Sequence, residues 1–211
     1  MIGLDAYVRE RAVVEQFRAR HAQALTRVAA NLRYYVKRES HPDAYRVGQR
    51  LKAMPTILDK LVRLPEMDLA RMHDIGGCRG ILPDQEAVDR VIAHLRRQRR
   101  WDLRPRIYDY VAHPKPDGYR AKHLVAVKDG CLIEIQLRTA AQHRWAELVE
   151  RFDRTHRLNL KAGRATHDMT VLFSRIADLL RLQEQGRLSD VDFVKRIAAL
   201  SAAENDRRDL S

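Results

Sequence analysis

Lys122–Thr139, KHLVAVKDGCLIEIQLRT, carries the plainest structural signal in the chain. Asp129-Gly130 separates two β-prone runs, the pattern of an antiparallel hairpin closed by a tight turn. In the second run Ile133, Ile135 and Leu137 alternate with Glu134, Gln136 and Arg138. A period of two buries the first set and points the second off the opposite face. A carboxylate, an amide and a guanidinium on one sheet face exceed what a solvated edge needs.

Working outward, the segment just upstream, HPKPDGYRAKH (His113–His123), sets one tyrosine on a proline- and glycine-marked turn among cationic side chains. An ordinary charged surface loop would have the same composition. Downstream, AQHRWAELVERFDRTHRL reads as a helix with Trp145, Leu148, Val149 and Phe152 inward, Trp145 serving the core. Helical segments at about 165–185 and 189–205 follow. Toward the N-terminus, DQEAVDRVIAHLRRQRR starts with an Asp cap and puts Val88, Val91, Ile92 and Leu95 on one helical face. DIGGCRGIL, from Asp74, reads as a short strand, and ILDKLVRL as a helix running into Pro65. Residues 5–39 form one long helix or two, ended before His41-Pro42. Helices flanking a mixed β-sheet make the chain α+β or α/β, and α+β fits better. We expect one domain over 1–211, its core at about 45–157, with helical extensions at about 5–40 and 165–205.

With 45% hydrophobic and 32% charged residues the chain is globular rather than disordered. No apolar run approaches a membrane span, and the N-terminal twenty residues mix acids into their basic face, which argues against a secretory signal or transit peptide. Cys78 and Cys131 have neither zinc-type spacing nor a disulfide framework, so reduced thiols and a cytoplasmic location are expected. The net charge of +12 favours phosphate-bearing partners, nucleotides or nucleic acid among them.

Four stretches in order, RLKAMPTILDK (50–60), DIGGCR (74–79), YDYVAHPKPDGYRAKH (108–123) and EIQLRTAAQHRWAE (134–147), resemble the synthetase domain of the RelA/SpoT family of alarmone synthetases. The resemblance implies a nucleotidyltransferase-like synthetase fold. It also implies transfer of the pyrophosphoryl group of ATP to the ribose 3′-hydroxyl of GDP or GTP, giving (p)ppGpp. Such a reaction needs an immobilised polyphosphate, a divalent metal and an aligned acceptor hydroxyl.

By that resemblance Arg50 and Arg79 sandwich the ATP adenine, as guanidinium planes suit. Lys52 and Lys60 bind phosphates, and Thr56 keeps a hydroxyl where the family commonly has serine. Asp74 binds Mg2+, an ion content with a carboxylate or two plus phosphate oxygens. Glu134 completes the metal site or acts as general base. Tyr119 carries the stacked acceptor base. Lys115, Arg120, Lys122 and His123 meet acceptor or donor phosphates, Gln136 and Arg138 orient phosphates or neighbouring side chains, and His143 lies near the acceptor.

Two departures bear on the acceptor: the common GYRSLH stands here as GYRAKH, and two extra glycines occupy the metal strand. His73-Asp74 spells the dipeptide of the family's hydrolase domain without that domain's other ligands, so neither hydrolase activity nor a hydrolase or regulatory domain is expected. Some small family members resemble toxins that pyrophosphorylate the 3′ end of tRNA and block translation. The arginine-rich LRRQRRWDLRPR is compatible with tRNA as acceptor, although a solvated basic face looks the same. A basic RNA-binding module with a decayed site is a third reading, disfavoured by the two carboxylates. Terminal helices of small synthetases often build a tetramer. Val194, Ile197 and Leu200 would supply such a face or cover their own chain.

Overall fold

The computed structural model describes residues 4–40, 46–98, 101–156, 160 and 165–208, excepting the side chains at 4–8, 156 and 201–208. The elements are α1 (Leu4–Arg38), β1 (Arg46–Leu51), α2 (Met54–Arg63), β2 (Gly76–Leu82), α3 (Gln85–Arg97), β3 (Asp102–Leu103), β4 (Tyr108–Asp109), β5 (Lys122–Lys128), β6 (Cys131–Thr139), α4 (Ala140–His156), α5 (His167–Glu184) and α6 (Asp190–Arg208). They group into two compact units. One comprises 1–108 with 122–137, the other 109–121 with 138–211. The N-terminal helix therefore belongs with the sheet, and the C-terminal helices with the tyrosine turn, a grouping that a core between two flanks does not convey. The class is α+β, as expected, with helices flanking a mixed sheet.

In the first unit the strand order is β1-β2-β6-β5-β3, with β4 beside β5. The hairpin is as read: β5 and β6 pair antiparallel, with Lys128 opposite Cys131. Asp129 and Gly130 both take positive φ, 53° and 72°, as the two-residue turn that matches strand twist requires. Along β6 the residues Cys131, Ile133, Ile135 and Leu137 are buried. They meet Leu25, Val28, Leu32 and Val36 of α1 and Val88, Val91 and Leu95 of α3 in one core. The apolar period of residues 5–39 is a single helix; the His41-Pro42 stop lies outside the described residues.

Gly76 leaves room for Ile133 of the neighbouring strand, since a Cβ there would come within 2.7 Å of Ile133 Cδ1, while Leu25 Cβ of α1 would stand in ordinary contact at 3.6 Å. Helix α3 is capped by Asp84, whose carboxylate accepts from the Ala87 N–H at 2.7 Å. Strand β1 is absent from the sequence reading. It is an edge strand, RVGQRL, on which only Val47 and Leu51 reach the core, so it has almost no alternation to detect. Strands β3 and β4 are too short to show a period.

The second unit packs Trp145 and Ala146 of α4 against Phe173, Ile176, Ala177 and Leu180 of α5. Trp145 is core, 4% exposed, its indole N–H donating to the Phe173 carbonyl at 2.8 Å. Leu148, expected inward, is 40% exposed: the helix buries the stripe through Ala141, Trp145, Val149 and Phe152, and Leu148 lies at its margin. On α6, Ile197 and Leu200 pack on this core, whereas Val194 is exposed. No described helix is long and apolar enough to cross a membrane.

Candidate functional site

In the first unit, one face of the sheet is covered by α1 and α3, and most of the candidate side chains on its strands line the other. Arg50 stands opposite Gly77 in the β1–β2 register. Facing partners in an antiparallel pair share a side, so Arg50 and Arg79, two residues beyond Gly77, lie diagonally on one face. Gly77 adds no side chain between them. Lys52 leaves the end of β1 with its N–H bonded to the Ile75 carbonyl at 2.8 Å, and its own carbonyl accepts from Arg18 Nε at 2.8 Å. Pro55 then starts α2, where proline's missing N–H costs nothing. Thr56 is exposed in the first turn, and Lys60 follows two residues after Leu58.

These anchors bring two ammonium groups onto one carboxylate. Lys52 Nζ donates to Asp74 Oδ2 and Lys60 Nζ to Asp74 Oδ1, each at 2.8 Å. Burial pushes the Asp74 carboxyl up, but the hydrogen bonds and charges of the two lysines outweigh it and hold the group below its ordinary range. Glu134 is fixed in a parallel way. His123, opposite Gln136 in the hairpin register, meets Glu134 Oε1 through Nδ1 at 2.9 Å, and Gln136 donates to Oε2 at 2.6 Å. An ionised carboxylate only accepts, so Nδ1 carries the proton. Burial would raise Glu134, yet the bond and charge of His123, with Gln136, lower it; the charge of Asp74 opposes them. The two carboxylates are therefore close enough to feel each other, and both are ionised.

Lys122 departs from its expected place. Adjacent strand residues point to opposite faces, and with His123 on the Glu134 side, Lys122 turns to α3 and bonds Asp89 at 2.6 Å. It belongs to the helix-covered face, not to a phosphate pocket shared with His123.

In the second unit the turn holds Tyr119. Asp117 accepts from the Tyr119 N–H at 3.0 Å, and Gly118 N–H from within the turn bonds Lys115 O at 2.8 Å. Gly118 has φ +88°, and a Cβ there would lie 2.5 Å from Ala177 Cβ and 3.0 Å from Ser174 Cα. Only glycine lets the turn rest on α5. The Tyr119 ring, partly buried, meets Tyr110 and Trp145 edge-on at 5.7 and 6.0 Å. Lys115 Nζ and Arg138 Cζ lie 4.9 and 5.0 Å from its centroid, and Arg138 donates to the phenol oxygen at 2.8 Å. Arg120 bonds Asp178 at 3.0 Å and the Ala177 carbonyl at 3.2 Å. Those two bonds tie the turn to the helix. His143 Nε2 lies 3.2 Å from Glu147 Oε1, one helical turn on. Tyr110 and Arg18 were not foreseen. Tyr110 stands within the quoted turn segment, whereas nothing local marks Arg18.

The family model described as the region found in RelA/SpoT proteins matches residues 49–155. The chain belongs to the RelA/SpoT family. Every candidate residue from Arg50 to His143 falls inside the RelA/SpoT match. The RelA/SpoT chain is 30% identical over 158 residues to the GTP pyrophosphokinase YwaC of Bacillus subtilis, covering 68% of this chain and 73% of that one. It is also 30% identical over 103 residues to the probable GTP diphosphokinase RSH3 of Arabidopsis thaliana, chloroplastic, but spans only 14% of that protein's length, against 48% of its own. Among solved structures, the small alarmone synthetase 1 of Bacillus subtilis bound to its product pppGpp superposes with a TM-score of 0.67 at 25% identity, covering 82% of this chain and 93% of that one.

The residues present fit a divalent cation of the kind the family generally uses. Among the described residues no group of three or more His, Cys, Asp or Glu could hold a metal unaided. Two ionised carboxylates beside lysines are the donor set of an ion that completes its shell with phosphate oxygens and water. The thiols are not part of it. Both cysteines are free and buried, and burial pushes Cys78 to about 12.

Proposed function

We propose that this protein transfers the pyrophosphoryl group of ATP to the 3′-hydroxyl of GDP or GTP. The observation that carries the reading is the pair of carboxylates held ionised by fixed partners, Asp74 by Lys52 and Lys60 and Glu134 by His123 and Gln136, with Arg50 and Arg79 together on one face of the β1–β2 pair. A simple anion binder would gain nothing from two such carboxylates.

In this reading Arg50 and Arg79 stack on the adenine, and Lys52 and Lys60 take the β- and γ-phosphates. Asp74, with Glu134 beside it, would hold Mg2+, which supplies charge neutralisation on the polyphosphate when bound. Glu134 accepts the proton of the 3′-hydroxyl, and His123 and Gln136 hold its two oxygens in place until then. The oxygen–Pβ bond forms as the Pα–O–Pβ bridge breaks, and AMP leaves with the bridging oxygen. The acceptor base stacks on Tyr119, which Arg138 orients through the phenol, while Lys115 and His143 serve the acceptor. The ribose end of GDP or GTP, rather than a tRNA terminus, is the acceptor; the relatives called GTP pyrophosphokinases support this choice.

The experiment is incubation with γ-labelled ATP, Mg2+ and either GDP, GTP or deacylated tRNA. Label in the guanine nucleotide is expected. Label confined to tRNA would overturn the acceptor, and none in any would overturn the activity. Tyr119→Ala should raise the acceptor KM about 5–150-fold, the equivalent of ~1–3 kcal/mol of base stacking, and spare ATP binding.

A further inference from the structure

Each Asp74 oxygen in this structure already faces a cation. Both are hydrogen-bonded at 2.8 Å to ammonium groups, which have only donors. The lysines are held in place: their side chains are 14% and 23% exposed, and the Lys52 backbone is pinned by Ile75 and Arg18. Glu134 is likewise engaged at both oxygens, by His123 and Gln136. A bare dication seeking Asp74 would have to sit about 2.1 Å from oxygens that already hold two positive charges, in a place where water screens little. No third acidic or imidazole ligand among the described residues compensates.

We propose that Lys52 and Lys60 gate cation entry, refusing a free divalent ion and admitting one only together with a polyphosphate that takes over their two ammonium groups. This rests on the site being the nucleotide site proposed above. The exchange is balanced in charge. The polyphosphate brings oxygens to the lysines as Asp74 is released to the ion, so no buried charge is left unpaired at any stage. Metal and nucleotide then bind with mutual reinforcement, each tightening the other by the same factor. The lysines thereby keep the site from filling with metal alone.

The test uses Mn2+ with the full chain, following loss of the free-ion electron paramagnetic resonance signal, without nucleotide. The wild type should bind Mn2+ no better than Asp74→Asn. Lys60→Met should bind it about 5–150-fold tighter, within the usual range of coupling, and adding Asp74→Asn should abolish the gain. Lys60→Arg, which keeps the charge, should stay closed. Circular dichroism checks the fold of each. Should Lys60→Met not fold, the wild type still decides: a fluorescent non-hydrolysable ATP analogue should bind about 5–150-fold tighter with Mn2+ than without.

Tight Mn2+ uptake by the nucleotide-free wild type, equal to that of Lys60→Met, would overturn the gate. So would equal analogue affinity with and without metal. If the Mn2+ series behaves as stated but the analogue never binds, the nucleotide reading falls while the exclusion of bare metal by the lysines stands.

Discussion

Replacing Gly118 by alanine tests the placement of the tyrosine turn on α5 most directly. Two separate costs are visible. The backbone holds φ +88°, a region where an L side chain costs about 1–2 kcal/mol. The new methyl would also lie 2.5 Å from Ala177 Cβ, 3.0 Å from Ser174 Cα and 3.3 Å from the Phe173 carbonyl. Two of those neighbours are helix backbone and cannot swing away, so relief requires the turn to lift or α5 to shift, which overpacking studies place at about 1–3 kcal/mol. Together the loss is about 2–5 kcal/mol.

Chemical denaturation of wild type, Gly118→Ala, Ala177→Gly and the double variant separates the costs. Ala177→Gly alone should cost about 1 kcal/mol as a helix-interior glycine. In the double variant the methyl–methyl clash is gone while the φ strain and Ser174 remain, so a favourable coupling of about 0.5–3 kcal/mol is expected. A Gly118→Ala protein within about 0.5 kcal/mol of wild type, the range of an unremarkable surface change, would refute both the strain and the close approach. A large loss with zero coupling would refute only the contact with Ala177.

Two further outcomes follow from the described geometry. Trp145→Phe keeps the ring in the core but strips the donor from the Phe173 carbonyl, a buried bond of 2.8 Å. Thermal or denaturant unfolding should show a loss of about 0.5–1.5 kcal/mol, the net worth of a hydrogen bond whose acceptor keeps its helical partner, and an unchanged midpoint would refute the bond's contribution. Asp74 and Glu134 both titrate below their ordinary values of 3.8 and 4.5 in the folded protein. A depressed acid contributes stability that is complete above its unfolded value and lost as pH falls through the folded one. The part of the unfolding free energy owed to these two acids should therefore be complete down to about pH 5 and decline below it, and Asp74→Asn with Glu134→Gln should flatten the wild-type slope below pH 5. An identical pH slope in that double variant would refute the assignment.

How far the sequence reaches depends on which contacts are local. The hairpin is legible because alternation in KHLVAVKDGCLIEIQLRT and the Asp129-Gly130 turn both act within a few residues. The same holds for the Asp84 cap and for the apolar stripe of α3. The candidate carboxylates, lysines and arginines came instead from the resemblance of four stretches in order to the RelA/SpoT synthetase domain, not from any local period. Strand β1 was not legible, because an edge strand with one face on the sheet's functional side has little apolar period to betray it. Leu148 was misplaced because heptad-like spacing does not say how wide a stripe the neighbouring helix covers.

Partnerships across long sequence separation belong to tertiary structure alone. Lys52 and Lys60 meet Asp74 from 22 and 14 residues away, and which ammonium takes which oxygen depends on where β1 ends and α2 begins. Lys122 and His123 are neighbours in the chain with opposite fates, one on Asp89 and one on Glu134, since a strand turns alternate residues to opposite faces. Arg120 was expected to meet phosphates, and its bond to Asp178, 58 residues on, has no local signal. Residue type and local period set what each segment can become. Which charges neutralise one another is decided only when the sheet and helices close, because a charge selects its partner by distance through the fold and not along the chain.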